Sequence, residues 1–186
     1  MGARRVGGAA IPTLSTQAPR PTFVLTASLA IDDNLLWCQR QALNLTGTVL
    51  HLLSTRFSGN EVVGTREPAV SVLGLGAPGS SMFIRANSLT VTGDGIRCGV
   101  DGAWIEGNKI ANVGSGATAT VGIALATGLD ANGSDQCQIL SNQISGFGDT
   151  GIRIAIPSRL LLVKLNIIEN CGNGITIGAQ LSRVGD

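Results

Sequence analysis

The sequence predicts an all-β solenoid, in which the chain winds through about six coils of short strands. An apolar segment with an asparagine at its fourth position recurs along the chain, as in Ile105-Glu-Gly-Asn108-Lys-Ile110. A Gly-Ile-x-apolar segment follows it, as in Gly122-Ile-Ala-Leu125. Self-similarity at a period of roughly 20 to 50 residues is typical of solenoids. The repeated asparagines are separated by 26, 27, 21, 34 and 24 residues. They are Asn34, Asn60, Asn87, Asn108, Asn142 and Asn166.

The apolar segments indicate strands rather than helices. Each alternates as Ile-x-Ile or Val-x-Val, which is the period of a strand with one buried face. Gly, Asn, Ser and Asp lie between the segments, as turns require. A sustained apolar stripe at helical spacing and the leucine-dense consensus of leucine-rich repeats are both absent from the sequence. The remaining solution stacks each strand on its equivalent about 4.8 Å away, which is a single-stranded parallel β-helix.

Three regions follow in chain order. Residues 1–21 carry no repeat and contain three prolines, so we expect an irregular N-terminal arm. The β-helix domain is predicted to span residues 22–178, and residues 179–186 form a C-terminal tail. The spacing between Asn108 and Asn142 exceeds its neighbours, which predicts loop excursions in that coil. The expected longer loops are residues 74–81, 113–120 and 126–135.

Composition argues against several classes of function. Charged residues make up 13% of the chain and the net charge is +1, which gives no long-range field to steer nucleic acid. The longest uncharged run, residues 110–129, contains four glycines and predicts no membrane span. Pro12 interrupts the weak apolar core of the N-terminus, so a signal peptide is not predicted. We expect no cofactor and no metal.

The four cysteines suggest structural thiols. Cys98 occupies the inward position that Val72 and Leu125 fill in other coils, so it is predicted to be a small core hydrophobe. Cys38, Cys137 and Cys171 lie at different offsets from their asparagines, and no C-x-x-C motif exists. We therefore favour buried free thiols over two disulfides or a zinc site.

The asparagine column predicts an architectural feature. In a coil of this kind the corner asparagine is expected to turn inward, where it bonds to backbone and to the next asparagine along the stack. A corner that requires left-handed dihedrals also favours Asn or Gly.

The full pattern, I-x-x-N-x-I…G-x-G-I-x-I over residues 31–177, resembles the generic coil repeat of the pectin-lyase-like superfamily. That resemblance implies a right-handed helix. The superfamily contains lyases, hydrolases, epimerases, phage tailspikes and adhesins, so the resemblance does not select an activity. It implies an extracellular or particle-associated location.

The first strand of the repeat supplies candidate binding residues. Arg85, Glu106 and Lys164 follow the leading apolar position of their coils and should face solvent. Arg85 and Glu106 are on adjacent coils and could form an ion pair. These side chains would line a groove for a sugar polymer, or they would form a solvated face with one weak surface pair. Trp104 should also point outward, where it would stack on a sugar ring or pack at a corner.

The second strand supplies candidate catalytic residues. Arg97 and Arg153 share an outward column, two coils and about 9.6 Å apart. Asp94 and Asp149 precede the corresponding Gly-Ile segments, which gives a recurring Asp/Arg pair. The resemblance implies uronate neutralisation by arginine in a lyase, or a carboxylate pair in a hydrolase. Turn chemistry explains the aspartates equally, because Asp before Gly favours turns.

Two functions remain open at this point. The chain contains one histidine, His51, and no tyrosine, so it lacks the dense cluster that enzymes of the superfamily usually carry. We therefore favour a non-catalytic module, structural or assembling at a surface, that contacts carbohydrate along its strand faces. The alternative is a polysaccharide-active lyase, epimerase or hydrolase. Because a β-helix exposes strand edges at its ends, we also expect a homo-oligomer or the remainder of a longer chain to cover them.

Overall fold

The computed structural model describes residues 25–47, 50–74, 81–115, 119–126, 135–155 and 160–178. These residues form eighteen β-strands and no helix, so none of them is in a helix able to span a membrane. The predicted arm and tail lie outside the described residues, as do residues 75–80, 116–118 and 127–134 of the predicted loops.

Each coil contributes one strand to each of three sheets. Sheet A contains β1 (Leu25–Asp32), β4 (Leu50–Ser58), β7 (Ser81–Arg85), β10 (Ala103–Glu106), β13 (Gln138–Leu140) and β16 (Leu162–Lys164). Sheet B contains β2 (Leu35–Trp37), β5 (Glu61–Thr65), β8 (Ser88–Val91), β11 (Lys109–Asn112), β14 (Gln143–Ser145) and β17 (Ile167–Glu169). Sheet C contains β3 (Leu43–Gly47), β6 (Val70–Gly74), β9 (Ile96–Gly99), β12 (Val121–Leu125), β15 (Thr150–Ile154) and β18 (Asn173–Ile177).

The sheets are parallel, and every strand pairs with its equivalent in the next coil. The predicted parallel β-helix of about six coils is therefore confirmed. The register also confirms which positions share a column: Ile84, Ile105 and Ile139 are paired in sheet A. Their side chains are fully buried, as are the equivalent aliphatic side chains of the other sheets. Burial of each such side chain contributes roughly 1.5 to 3 kcal/mol.

The coil has three strands where the repeat suggested two. The I-x-x-N-x-I segment bends at its asparagine, so that its two halves enter sheets A and B. The left-handed residue at this bend is the one before the asparagine: φ is 53° at Ala86, 64° at Gly107 and 54° at Ser141. The left-handed position of the corner is therefore the residue before the asparagine, and the asparagine itself is not left-handed. Its side chain is selected for hydrogen bonding.

The predicted asparagine ladder is present. In its centre, Asn87 donates from its backbone N–H and from Nδ2 to Oδ1 of Asn108, at 3.0 and 2.9 Å. Asn108 makes the same two bonds to Asn142, at 3.0 and 2.9 Å. The remaining Nδ2 hydrogen of Asn108 bonds the carbonyl of Ile84 in the preceding coil, at 2.9 Å. Each step therefore links neighbouring coils through side-chain and backbone groups.

None of the four cysteines, all of which the structure describes, forms a disulfide. Cys98 is buried in its predicted inward position, and burial raises the pKa of its thiol to about 12. Cys137 is buried as well, which its offset from Asn142 did not indicate. These two thiols serve as small core side chains.

Candidate functional site

The two candidate arginines of sheet C occupy one outward column, as predicted. Arg97 pairs in register with Ala124, which pairs with Arg153. Arg97 is exposed, and no carboxylate in the described part of the chain lies within ion-pair distance of it. Ala124, with its small side chain, is therefore the residue between the two arginines in this column.

The two candidate aspartates do not occupy equivalent positions. Val121 pairs with Thr150, and the register of β9 and β12 aligns Asp94 with Val121. Asp94 therefore corresponds to Thr150, and Asp149 lies one residue earlier in its coil. The recurring Asp/Arg pair that the sequence suggested is therefore broken by a shift of one residue. Asp94 uses Oδ1 to accept the backbone N–H of Val121, at 2.8 Å.

Asp149 is held by its own coil. It receives a hydrogen bond of 2.8 Å from the Thr150 hydroxyl, and it forms an ion pair with Arg153 four residues later. Its backbone carbonyl accepts the N–H of Asn173, at 2.7 Å. The Thr150 hydroxyl, followed by the Arg153 guanidinium, lowers the pKa of the Asp149 carboxyl. Asp149 is therefore an ionised carboxylate that links two other residues of its own coil, Thr150 and Arg153.

The outer face of sheet A brings three of the four candidate binding residues together. Arg85 Nη2 lies 2.7 Å from Glu106 Oε2, which confirms the predicted ion pair. This contact has ion-pair distance without the alignment of a hydrogen bond. The Arg85 guanidinium also lies 5.8 Å from the ring centroid of Trp104, which points outward as predicted. Lys164 is in the same column as Glu106 but two coils away, beyond Leu140.

Sequence reasoning missed the residues that complete this face. The Phe83 ring lies 6.2 Å from that of Trp104, because the two residues are paired in register. Arg56 lies in the same column and bonds to Asp32, with Nε 2.9 Å from Oδ1. The alternation that turned Trp104 outward would also have identified Phe83 and Arg56.

A groove of about 570 Å³ opens beside these side chains. We call it the sheet A groove. It is lined by Ser28, Leu29, Ala30, Ser54, Arg56, Ser58, Phe83, Arg85 and Ala86. A smaller groove of about 220 Å³ lies on sheet B, between Lys109 and Glu169.

Metal ligands are not gathered at any of these places. Among the described residues, no group of three or more His, Cys, Asp or Glu side chains could hold a metal ion. The backbone of His51 lies in β4, and its side chain is outside the described part of the molecule.

Comparison with known proteins agrees with the fold. The family profile described as right handed beta helix region matches residues 54–182, which is more than half of the chain. Searches of curated proteins and of solved structures returned no match. The matched segment begins in β4 and includes all later strands. The chain therefore belongs to the right-handed β-helix family.

Proposed function

We propose that this chain is a non-catalytic β-helix module that offers its strand faces as a rigid surface for binding and assembly. The observation that carries the proposal is the state of the two candidate carboxylates on sheet C. Asp94 holds the backbone of the next coil, and Asp149 is occupied by Thr150 and Arg153. Both side chains already have structural partners.

These partners work against the chemistry that a carbohydrate-active enzyme needs. A general acid must keep its proton near the working pH, which requires a raised pKa. The pKa of Asp149 is lowered instead. A carboxylate that acts as a nucleophile or base needs a free oxygen aimed at the substrate, whereas Asp149 Oδ1 accepts from Thr150 and Oδ2 contacts Arg153.

The end of the coil stack supports the assembly part of the proposal. Ile175 and Ile177 align with the buried Ile152 and Ile154, yet they are 50% and 73% exposed. Inward side chains that remain exposed form an apolar end face, and such faces commonly mark interaction sites.

One observation favours the enzymatic alternative. Arg97 is exposed, and the small residue Ala124 separates it from Arg153 in the same column. A uronate carboxylate could bind between two such cations, which is the charge neutralisation that a polysaccharide lyase requires. A base near this position is not evident among the described residues.

Incubation with acidic and neutral polysaccharides tests the proposal. Unsaturated products and new reducing ends are followed in the same samples. We expect neither product above the level of a no-protein control, because the carboxylates are engaged in structural contacts. The proposal fails if either product forms and both Asp94→Asn and Arg153→Ala abolish it. Arg40→Ala is the matched control, since it removes a surface ion pair with Glu67 in the corners that precede sheet C in the first two coils.

A further inference from the structure

We propose that the sheet A groove binds a neutral sugar ring of an oligosaccharide. This inference rests on the proposed role as a binding module, and it specifies the face and the class of ligand. Four features of the groove support it: its shape, the serine hydroxyls of its floor, the pairing of its charges and the aromatic ring at one end.

The shape follows from the register of three outward columns. Ser28 pairs with Ser54, and Ala30 pairs with Arg56. Neighbouring side chains in such columns are about 4.8 Å apart, so the small side chains of Ser28, Ala30 and Ser54 leave a depression beside Arg56. Phe83 of the third coil rises at its end. The volume of about 570 Å³ is within the range of small-molecule sites.

The floor of the groove is suited to hydroxyl groups. Ser28, Ser54 and Ser58 all line it. A serine hydroxyl both donates and accepts hydrogen bonds, as does each hydroxyl of a sugar. The floor therefore offers hydrogen-bond partners to a ligand that carries several hydroxyl groups. The serine side chains themselves are uncharged.

The charges of the groove are paired, and this pairing selects a neutral ligand. Arg56 is bound by Asp32 through two contacts from Nε, at 2.9 and 3.0 Å. Arg85 is paired with Glu106, at 2.7 Å. An anionic sugar would have to displace a carboxylate from its arginine. A neutral sugar can use the remaining guanidinium N–H groups and carboxylate oxygens where they stand, and the ion pairs hold those groups in place before binding.

The aromatic end supplies the apolar contact. Phe83 is partly exposed, and its ring is tilted 36° against that of Trp104. A pyranose ring has a face of C–H groups, which can pack on an aromatic ring and lose contact with water. The sheet B groove has no aromatic lining residue, and Lys109, Gln143 and Glu169 give it a more polar character. The sheet A groove is therefore the better site for a sugar.

Direct binding to defined oligosaccharides tests the inference. The probes are cellohexaose, xylohexaose, mannohexaose and maltohexaose, with trigalacturonate as the acidic probe. Calorimetry and tryptophan fluorescence are measured in a Trp37→Phe background, so that Trp104 is the only tryptophan. We expect saturable binding of at least one neutral probe and weaker binding of trigalacturonate.

Two variants and one control locate the site. Phe83→Ala removes the aromatic wall, and Ser54→Gln fills the floor from an exposed position that does not support the core. Each variant should raise the dissociation constant by about tenfold or more. A change of this size requires the loss of only a small part of a typical binding free energy. Val113→Ala is the matched control, because Val113 is 64% exposed and follows β11 of sheet B, away from the groove.

Each outcome decides the inference. Failure of all four neutral probes to bind at millimolar concentration would overturn it, as would binding that neither variant weakens or a preference for trigalacturonate. Products are assayed in the same samples. If a bound neutral probe is converted to product, the non-catalytic proposal is wrong but the inference that the sheet A groove binds a sugar is kept. If neither binding nor product is found, only the inference about the groove is wrong.

Discussion

The asparagine side chain at a central corner of the ladder has no spare hydrogen-bonding capacity. In the centre of the ladder, Oδ1 of Asn108 accepts two bonds from Asn87, and its Nδ2 donates to Ile84 and Asn142. An amide has two donors and two acceptor sites, and all four are used here. Aspartate would lose the donors, and glutamine would place the amide one carbon too far from the stack.

Asn108→Ala should therefore be strongly destabilising. It leaves two donors of Asn87 and the carbonyl of Ile84 without their partners in a buried corner, and Oδ1 of Asn142 keeps only the bond from the backbone N–H of residue 108. Each orphaned buried group costs about 1–3 kcal/mol, so we expect a loss of at least about 3 kcal/mol in the free energy of unfolding. Urea denaturation followed by circular dichroism measures this loss.

The matched control is Asn34→Ala in the first coil. Asn34 is exposed, and it has a ladder partner on one side only, at Asn60. We expect its loss to cost about 1 kcal/mol or less. Equal costs at the two positions would show that the central ladder does not contribute more than a surface corner.

Acid sensitivity should depend on Asp149. Its folded-state pKa lies below the usual 3.8 because Thr150 and Arg153 bind the charged form. The unfolded state then binds more protons between the two pKa values, so this stabilisation is complete above about pH 4 and is lost as pH falls through the lower value. We expect the melting temperature of Asp149→Asn to fall less steeply than that of the wild type below pH 4.

Thr150→Val provides a second measure, because it removes the hydroxyl that binds Asp149 Oδ1. Thr150→Val should also make the melting temperature fall less steeply with pH below pH 4. Part of the slope should persist in both variants, since Arg56 lowers the pKa of Asp32 as well. Curves of unchanged slope would mean that the Asp149 contacts add no stability.

At the scale of the element, one glycine column fixes how closely sheet C approaches sheet B. Gly95, Gly122, Gly151 and Gly174 begin the Gly-Ile segments of successive coils. A Cβ on Gly122 would lie 2.4 Å from Cγ2 of Ile144 and 2.6 Å from the carbonyl of Gly151. Neither neighbour can move freely, because one fills the core and the other belongs to the next coil.

Gly122→Ala should consequently destabilise the protein, whereas Gly174→Ala should not. Overpacking of a well-packed core costs about 1–3 kcal/mol. A Cβ on Gly174, in the last described coil, meets no atom within 4 Å. We expect a loss of about 2 kcal/mol for the first variant and a change within about 0.5 kcal/mol for the second, measured by urea denaturation. Similar losses for both would contradict a steric role of the column.

The strands and corners also show how much of the fold could be predicted from the sequence. Alternation and the asparagine spacing were sufficient to predict the coils, the ladder and the ion pair of Arg85 with Glu106, because these features depend on one repeat and its nearest copy. The third strand was not predictable in the same way, since it depends on a left-handed residue that is Ala, Ser or Leu in several coils. The offset between Asp94 and Asp149 could be read from the sequence, because Asp94 directly precedes Gly95 whereas Thr150 separates Asp149 from Gly151. The sheet A groove needed the structure, as it arises from small side chains on one pair of coils beside a ring on the next.

The whole molecule is a stack in which each coil contacts only its neighbours, so its ends differ from its middle. The central inward positions are sealed by coils on both sides. Among the described residues, β16, β17 and β18 of the sixth coil pair only with strands of the fifth coil. Their outer edges and the exposed Ile177 side chain together form an end surface on which core-type apolar side chains are exposed. Unpaired edges with apolar side chains favour association.

We therefore expect concentration-dependent self-association through this end face. Ile177→Asp places a charge on a side chain that is 73% exposed, so it should keep the fold and shift the protein towards monomer. Val113→Asp is the matched control, because Val113 is 64% exposed but lies in a corner of the fourth coil. Sedimentation velocity over a hundredfold range of concentration measures the change. A wild type that stays monomeric, or an equal effect of the two variants, would contradict assembly through the sixth coil. Since the end face and the sheet A groove are on different surfaces, Ile177→Asp should leave oligosaccharide binding unchanged, which separates the assembly and binding parts of the proposed function.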